Sequence, residues 1–81
     1  MNEIVKIIND KDTITFILKT SDEPYFWWWE VPRYDWEHYQ HINPSATVHD
    51  FVNDEDYATD CGFSCAGFDT IADAIADHAQ A

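Results

Sequence analysis

Three consecutive tryptophans, Trp27 to Trp29, sit in the run YFWWWEV between Pro24 and Pro32. β-branched and aromatic composition closed by proline reads as a strand over 25–31. In an extended strand Tyr25, Trp27, Trp29 and Val31 project to one side, and Phe26, Trp28 and Glu30 to the other. The whole chain is 81 residues, the length of a single domain spanning 1–81. A chain this short buries only about 60–65% of its unfolded surface, so every aromatic weighs on its stability. A small sheet lines its core with one face. Core filling accounts for both rows of rings only if a helix covers each face. Trp27 and Trp29 are expected inside and Trp28 nearer the surface, where it would serve as an interface anchor. Hydrophobic content of 46% and aromatic content of 16% place the chain with folded domains despite its charge.

Two further runs precede this strand. EIVKII (3–8) and TITFILK (13–19) flank the turn-forming NDKD and predict a hairpin. Ile14, Phe16 and Leu18 alternate with Thr13, Thr15, Ile17 and Lys19, the period of a half-buried strand. Ile4, Ile7 and Ile8 also fit a helical face, but strand is the favoured reading of the first run. SDEP (21–24) is a second turn. RYDWEHYQHI (33–42) spaces Trp36, Tyr39 and Ile42 three apart, with Asp35 as a candidate cap, and suggests a single helical turn or a loop. NPSA (43–46) interrupts it. Residues 47–56 fit either helix or strand: Val48, Phe51 and Val52 share a helical face, and Thr47 with Asp50 resembles a capping box. FDTIADAIADHAQA (68–81) predicts a helix opened by Asp69 or Thr70, with Ile71, Ala74, Ile75 and His78 on one face. The expected fold class is α+β: a small antiparallel sheet of three to four strands with the C-terminal helix packed on one face.

Charge is the second oddity. Sixteen Asp and Glu stand against four Lys and Arg, a net charge of −12. Residues 1–33 hold every base and net −2; residues 34–81 net −10. Self-repulsion of this size opposes compaction, most of all at low salt. It also excludes partner classes. Nucleic-acid binding needs Lys and Arg to neutralise phosphate, and an anionic membrane surface would repel the chain. Neither a basic-then-apolar leader nor an apolar run near the ~20 residues of a membrane span is visible. The cytoplasm is therefore expected (the host's, if the chain is phage-encoded), with Cys61 and Cys65 as free thiols. Three residues separate these cysteines, where the common redox pair has two.

Asp69, Asp73 and Asp77 recur every fourth residue, which on a helix makes a ladder of carboxylates about 6 Å apart. The row resembles backbone phosphates on a nucleic-acid strand; a solvated face is the plain alternative. Asp50, Asp54, Glu55, Asp56 and Asp60 add negatives upstream. DFVNDEDYATDC lacks the central Gly and the twelfth-position Glu of a calcium loop. His38, His41, Cys61 and Cys65 supply four ligand types for zinc, but their order and spacing match no common finger. His49 and His78 are expected to face solvent or line a rim. No phosphate loop, strand-elbow serine or metalloprotease helix is present, and a Cys–His pair involving Cys61 or Cys65 with His78 is the sole catalytic suggestion. No cofactor is implied, and the expectation is a protein without enzymatic activity.

In its length, in NDEDYATD and in DTIADAIAD, the chain resembles the small acidic phage and mobile-element inhibitors of host defence, the anti-CRISPR and anti-restriction DNA mimics. The segment AGFDTIADAIADHA is also similar to the strand–helix junction of small ββα modules in phage integrases, which are basic and bind DNA, as this chain is not. The first resemblance implies a non-enzymatic inhibitor that binds a basic nucleic-acid-binding defence protein through an acidic DNA-mimicking surface, as monomer or homodimer. Its expected contact residues are Asp50, Asp54, Glu55, Asp56, Asp60, Asp69, Asp73 and Asp77, with Trp28 and Trp36 as anchors. An acidic antitoxin-like or subunit partner of a basic protein, and a zinc-stabilised binding module, are the alternatives.

Overall fold

A computed structural model of the chain describes residues 1–54 and 67–80. The fold is α+β. Strands β1 (Asn2–Asn9), β2 (Thr13–Thr20) and β3 (Phe26–Pro32) form an antiparallel sheet in the order β1-β2-β3. Helices α1 (Arg33–Ile42) and α2 (Val48–Val52) follow, and α3 (Ile71–Gln80) comes last. The hairpin over NDKD forms as its turn chemistry predicts. Phe68 pairs with Phe26 through two backbone bonds of 2.7 and 2.8 Å, a one-residue extension of the sheet beyond β3. Gly67 makes this approach possible, because a Cβ there would lie 2.6 Å from Cβ of Tyr25.

Register decides which side chains share a face. Ile14, Phe16 and Leu18 stand opposite Val31, Trp29 and Trp27. These six, with Ile4 of β1, face α1 and α2. Ile14, Phe16, Leu18, Trp29 and Val31 are buried there with Tyr39, Phe51 and Val52, and Trp27 and Trp36 pack at the edge. Phe51 is the hub: its ring centroid lies 5.0 Å from Tyr39, 5.2 Å from Trp29, 5.4 Å from Trp36 and 6.2 Å from Phe16. Pairs at these distances stabilise by about 0.5–1.5 kcal/mol beyond area burial. The indole N–H of Trp29 has no acceptor among the described residues.

The opposite face carries Thr15 and Ile17 of β2 with Trp28 and Glu30 of β3. Helix α3 packs here, burying Ala74 fully and Ile71, Ile75 and His78 in part. The condition set by the triple tryptophan is thus met: helices lie against both faces of the sheet. Trp29 is 2% exposed, while Trp27 and Trp28 are half-buried on opposite sides.

Residues 33–42 differ from the expected turn or loop. They form a ten-residue helix that starts directly after β3, with Pro32 at the N-cap and no side-chain cap. Asp35 is not the cap; it lies in the first turn, where it meets the positive end of the helix dipole. Proline's fixed φ suits a helix entry, and Trp36 and Tyr39, three apart, place their rings on the core. Asn43 closes the helix, its backbone N–H donating to the Tyr39 carbonyl, and Pro44 prevents continuation. At 47–52 the capping box forms: the Asp50 N–H donates to Thr47 Oγ1 and the Thr47 N–H to Asp50 Oδ2. Helix wins over strand because this box and the burial of Phe51 and Val52 act together.

Candidate functional site

Of the thirteen acids among the described residues, none is buried and ten are exposed, including Asp50, Asp69, Asp73 and Asp77. Glu55, Asp56 and Asp60, with Cys61 and Cys65, lie outside the described residues. The rest do not converge on one patch. Asp50 and Asp54 belong to α2 and its end, on the Phe51 side of the sheet; Asp73 and Asp77 belong to α3, and Asp69 to the turn just before it, on the other.

On α3 the ladder forms only in part: Asp73 and Asp77 lie on the helix, whereas Asp69 precedes its cap. The Asp73 N–H donates to Thr70 Oγ1 at 3.1 Å, so Thr70 rather than Asp69 caps the helix. Asp69, Asp73 and Asp77 line one open depression beside Gly67, Phe68 and Gln80. Asp73 and Asp77, one helical turn apart at about 6 Å, repel by about 0.7 kcal/mol in water before screening. Local effects offset this. Asp69 and Asp73 sit at the positive end of the helix dipole. Asp77, at the unfavourable end, accepts a 2.8 Å hydrogen bond from the indole N–H of Trp28.

Trp28 is therefore not a free anchor. Its ring lies under α3, edge-on to His78 at 5.0 Å. Trp36 is likewise engaged, 5.4 Å from Phe51 and 6.3 Å from Tyr39. The large side chains the described residues leave exposed are others: Met1, Ile7 and Tyr25, and, together on α1, Tyr34 (69%) and Ile42 (57%). Spacing groups Ile42 with Trp36 and Tyr39, yet at the end of the helix it is exposed; Tyr34 carries no signal in a single turn or loop, and falls opposite Trp36 only on the wheel of a full helix over 33–42.

No matching family model, curated protein or solved structure is found for this chain.

One cluster has the composition of a catalytic triad. Thr15 Oγ1 lies 2.9 Å from Nε2 of His78, and Glu30 Oε1 lies 3.1 Å from the same nitrogen. A relay needs the base to face the nucleophile with one nitrogen and the orienting carboxylate with the other. Here hydroxyl and carboxylate share Nε2, and Thr15 is 1% exposed, beyond reach of a substrate. An ionised carboxylate only accepts, so the pattern assigns a proton to Nε2, shared between two acceptors, Glu30 Oε1 and Thr15 Oγ1. The cluster is a polar clamp that fixes α3 to β2 and β3. His78 is thus a partly buried structural residue rather than a rim residue: the amphipathic register of α3 turns it inward, and Thr15 and Glu30 supply its partners.

Metal chemistry finds no assembled site in this region. Among the described residues no three His, Cys, Asp or Glu side chains converge to hold an ion. His38 and His41 are exposed on α1. No helix among the described residues is long and apolar enough to cross a membrane.

Proposed function

We propose that this chain is a non-enzymatic inhibitor of host defence, which binds a nucleic-acid-binding effector, a CRISPR complex or a restriction enzyme, through its acidic surface. The observation that supports this most is the exposure of uncompensated acid: ten of thirteen described acids face solvent on a chain of net charge −12. Such a field repels nucleic acid and attracts the basic groove that nucleic acid would occupy. Asp73 and Asp77 on α3, with Asp69 just before its cap, offer three of these charges along one depression, with the Asp77 carboxylate held by Trp28. Preorganised charge loses less side-chain entropy on binding than charge on a free chain. The partner's Lys and Arg, freed from phosphate, would be met by carboxylates instead.

The test is a DNA-binding assay on purified effectors with this chain as titrant. The expected result is loss of effector–DNA complex as the chain is added, with no gel shift when the chain meets duplex or single-stranded DNA alone. Direct retention of DNA at micromolar chain would refute charge mimicry. Inhibition abolished by EDTA and restored by zinc would favour the metal-stabilised module instead.

A further inference from the structure

From the outward face of α1 we infer a second contact surface, one that takes a basic amphipathic helix of the partner; the inference rests on the function proposed above and locates its apolar component. Hot spots need large side chains that are free to be covered. Trp28 and Trp36 are spent on internal packing, as described. On α1, Trp36 and Tyr39 face the core, whereas Tyr34, His38, His41 and Ile42 are all exposed. At about 100° per residue, Tyr34, His38 and His41 form a strip turned away from Trp36. Ile42 flanks its C-terminal end and opens onto a surface depression walled by Pro44, Ala46 and Asp50. The strip and the depression are continuous through Ile42.

Charge selects the occupant. Glu37 is exposed on the same helix and Asp50 stands at the wall of the depression. No Lys or Arg occurs anywhere after Arg33, and Arg33 itself turns back to Asn9 and to the Asp10 carbonyl. A strip whose apolar surface is Tyr34 and Ile42, with two imidazoles between them, carboxylates beside it and no Lys or Arg, complements a helix with aliphatic residues at i and i+4 and Lys or Arg beside them. A second copy of this chain would bring another net charge of −12 and is disfavoured as occupant. Because α1 and α3 pack on opposite faces of the sheet, this surface is separable from the ladder.

The test uses the full chain, 15N-labelled, titrated with two peptides of equal positive charge: a Lys/Leu amphipathic helix and an oligolysine. The amphipathic peptide is expected to shift amides of Tyr34 to Ala46 and to bind about tenfold more weakly to Tyr34→Ala or Ile42→Ala. The oligolysine is expected to bind both variants as it binds the wild type. Both side chains are exposed, and circular dichroism checks that each variant keeps its fold. If both peptides bind at α3 alone, weaken on Asp69→Lys/Asp73→Lys and ignore Tyr34→Ala and Ile42→Ala, the α1 surface is refuted while the mimic reading stands. If neither peptide binds at low salt, both fall. A dimer in sedimentation that disperses on Tyr34→Ala would assign the strip to a second copy and overturn the inference.

Discussion

Replacing His78 by Ala should cost about 2–3 kcal/mol, and the origin of that cost can be dissected. The Thr15 hydroxyl is 1% exposed and its partner is His78 Nε2 at 2.9 Å. Stranding it costs about 1–2 kcal/mol. Losing the edge-on contact with Trp28, at 5.0 Å, removes about 0.5–1 kcal/mol. The link to Glu30 adds little, because that side chain is 42% exposed and water screens the pair; about 0.5 kcal/mol is an upper value. A chain of this length has a total stability of roughly 4–12 kcal/mol, so the melting temperature should fall by about 10–20 °C. The sharper test is the double mutant. Thr15→Val swaps the hydroxyl for a methyl of similar shape, and alone it should cost about 1 kcal/mol. In the His78→Ala background it removes the stranded group and should restore about 1 kcal/mol. Urea denaturation followed by tryptophan fluorescence measures all four corners of this cycle. A double mutant less stable than His78→Ala by the full Thr15→Val cost would refute the clamp.

Three further outcomes are expected. Trp29→Ala and Phe51→Ala should each destabilise by about 3–5 kcal/mol in the same urea assay, because both rings are buried in the aromatic core; a cost under about 1 kcal/mol would mean the core is misplaced. Asp50→Asn should lower stability by about 0.5–1 kcal/mol by weakening the capping box with Thr47, so a binding defect in this variant must be read after its melting curve. Added monovalent salt should raise the melting temperature by screening the net charge of −12; a curve flat from low to moderate salt would contradict repulsion as a term in stability.

Most of the architecture was legible because local signals agreed with one another. The alternation of Ile14, Phe16 and Leu18 and the turn residues at 9–12 specify the hairpin. The face Ile71, Ala74, Ile75 and His78 specifies how α3 sits on the sheet. Helix α1 was harder to read because Tyr34, Trp36 and Tyr39 favour strand as readily as helix, and Pro32 leaves no polar cap to announce the start. Only the packing of Trp36 and Tyr39 against Phe51 settles the period. The ladder Asp69, Asp73 and Asp77 was visible from spacing. The partners that engage Trp28 were not: Asp77 lies 49 residues away, and no local pattern carries a contact of that range. The partners of His78 are hidden for the same reason, since Thr15 and Glu30 reach it across 63 and 48 positions.

The central claim is that solvent-facing acids bring this chain to a basic effector. The most direct measurement is the association rate with the effector whose DNA binding it blocks, for wild type and for Asp69→Lys/Asp73→Lys, by surface plasmon resonance from about 50 to 500 mM salt. Both aspartates are exposed, so the fold should survive the exchange. Steering predicts a wild-type rate that falls steeply with salt, and a reversed variant that associates about tenfold or more slowly at low salt, with a flatter dependence. Equal rates for the two proteins at both ends of the salt range would contradict the claim.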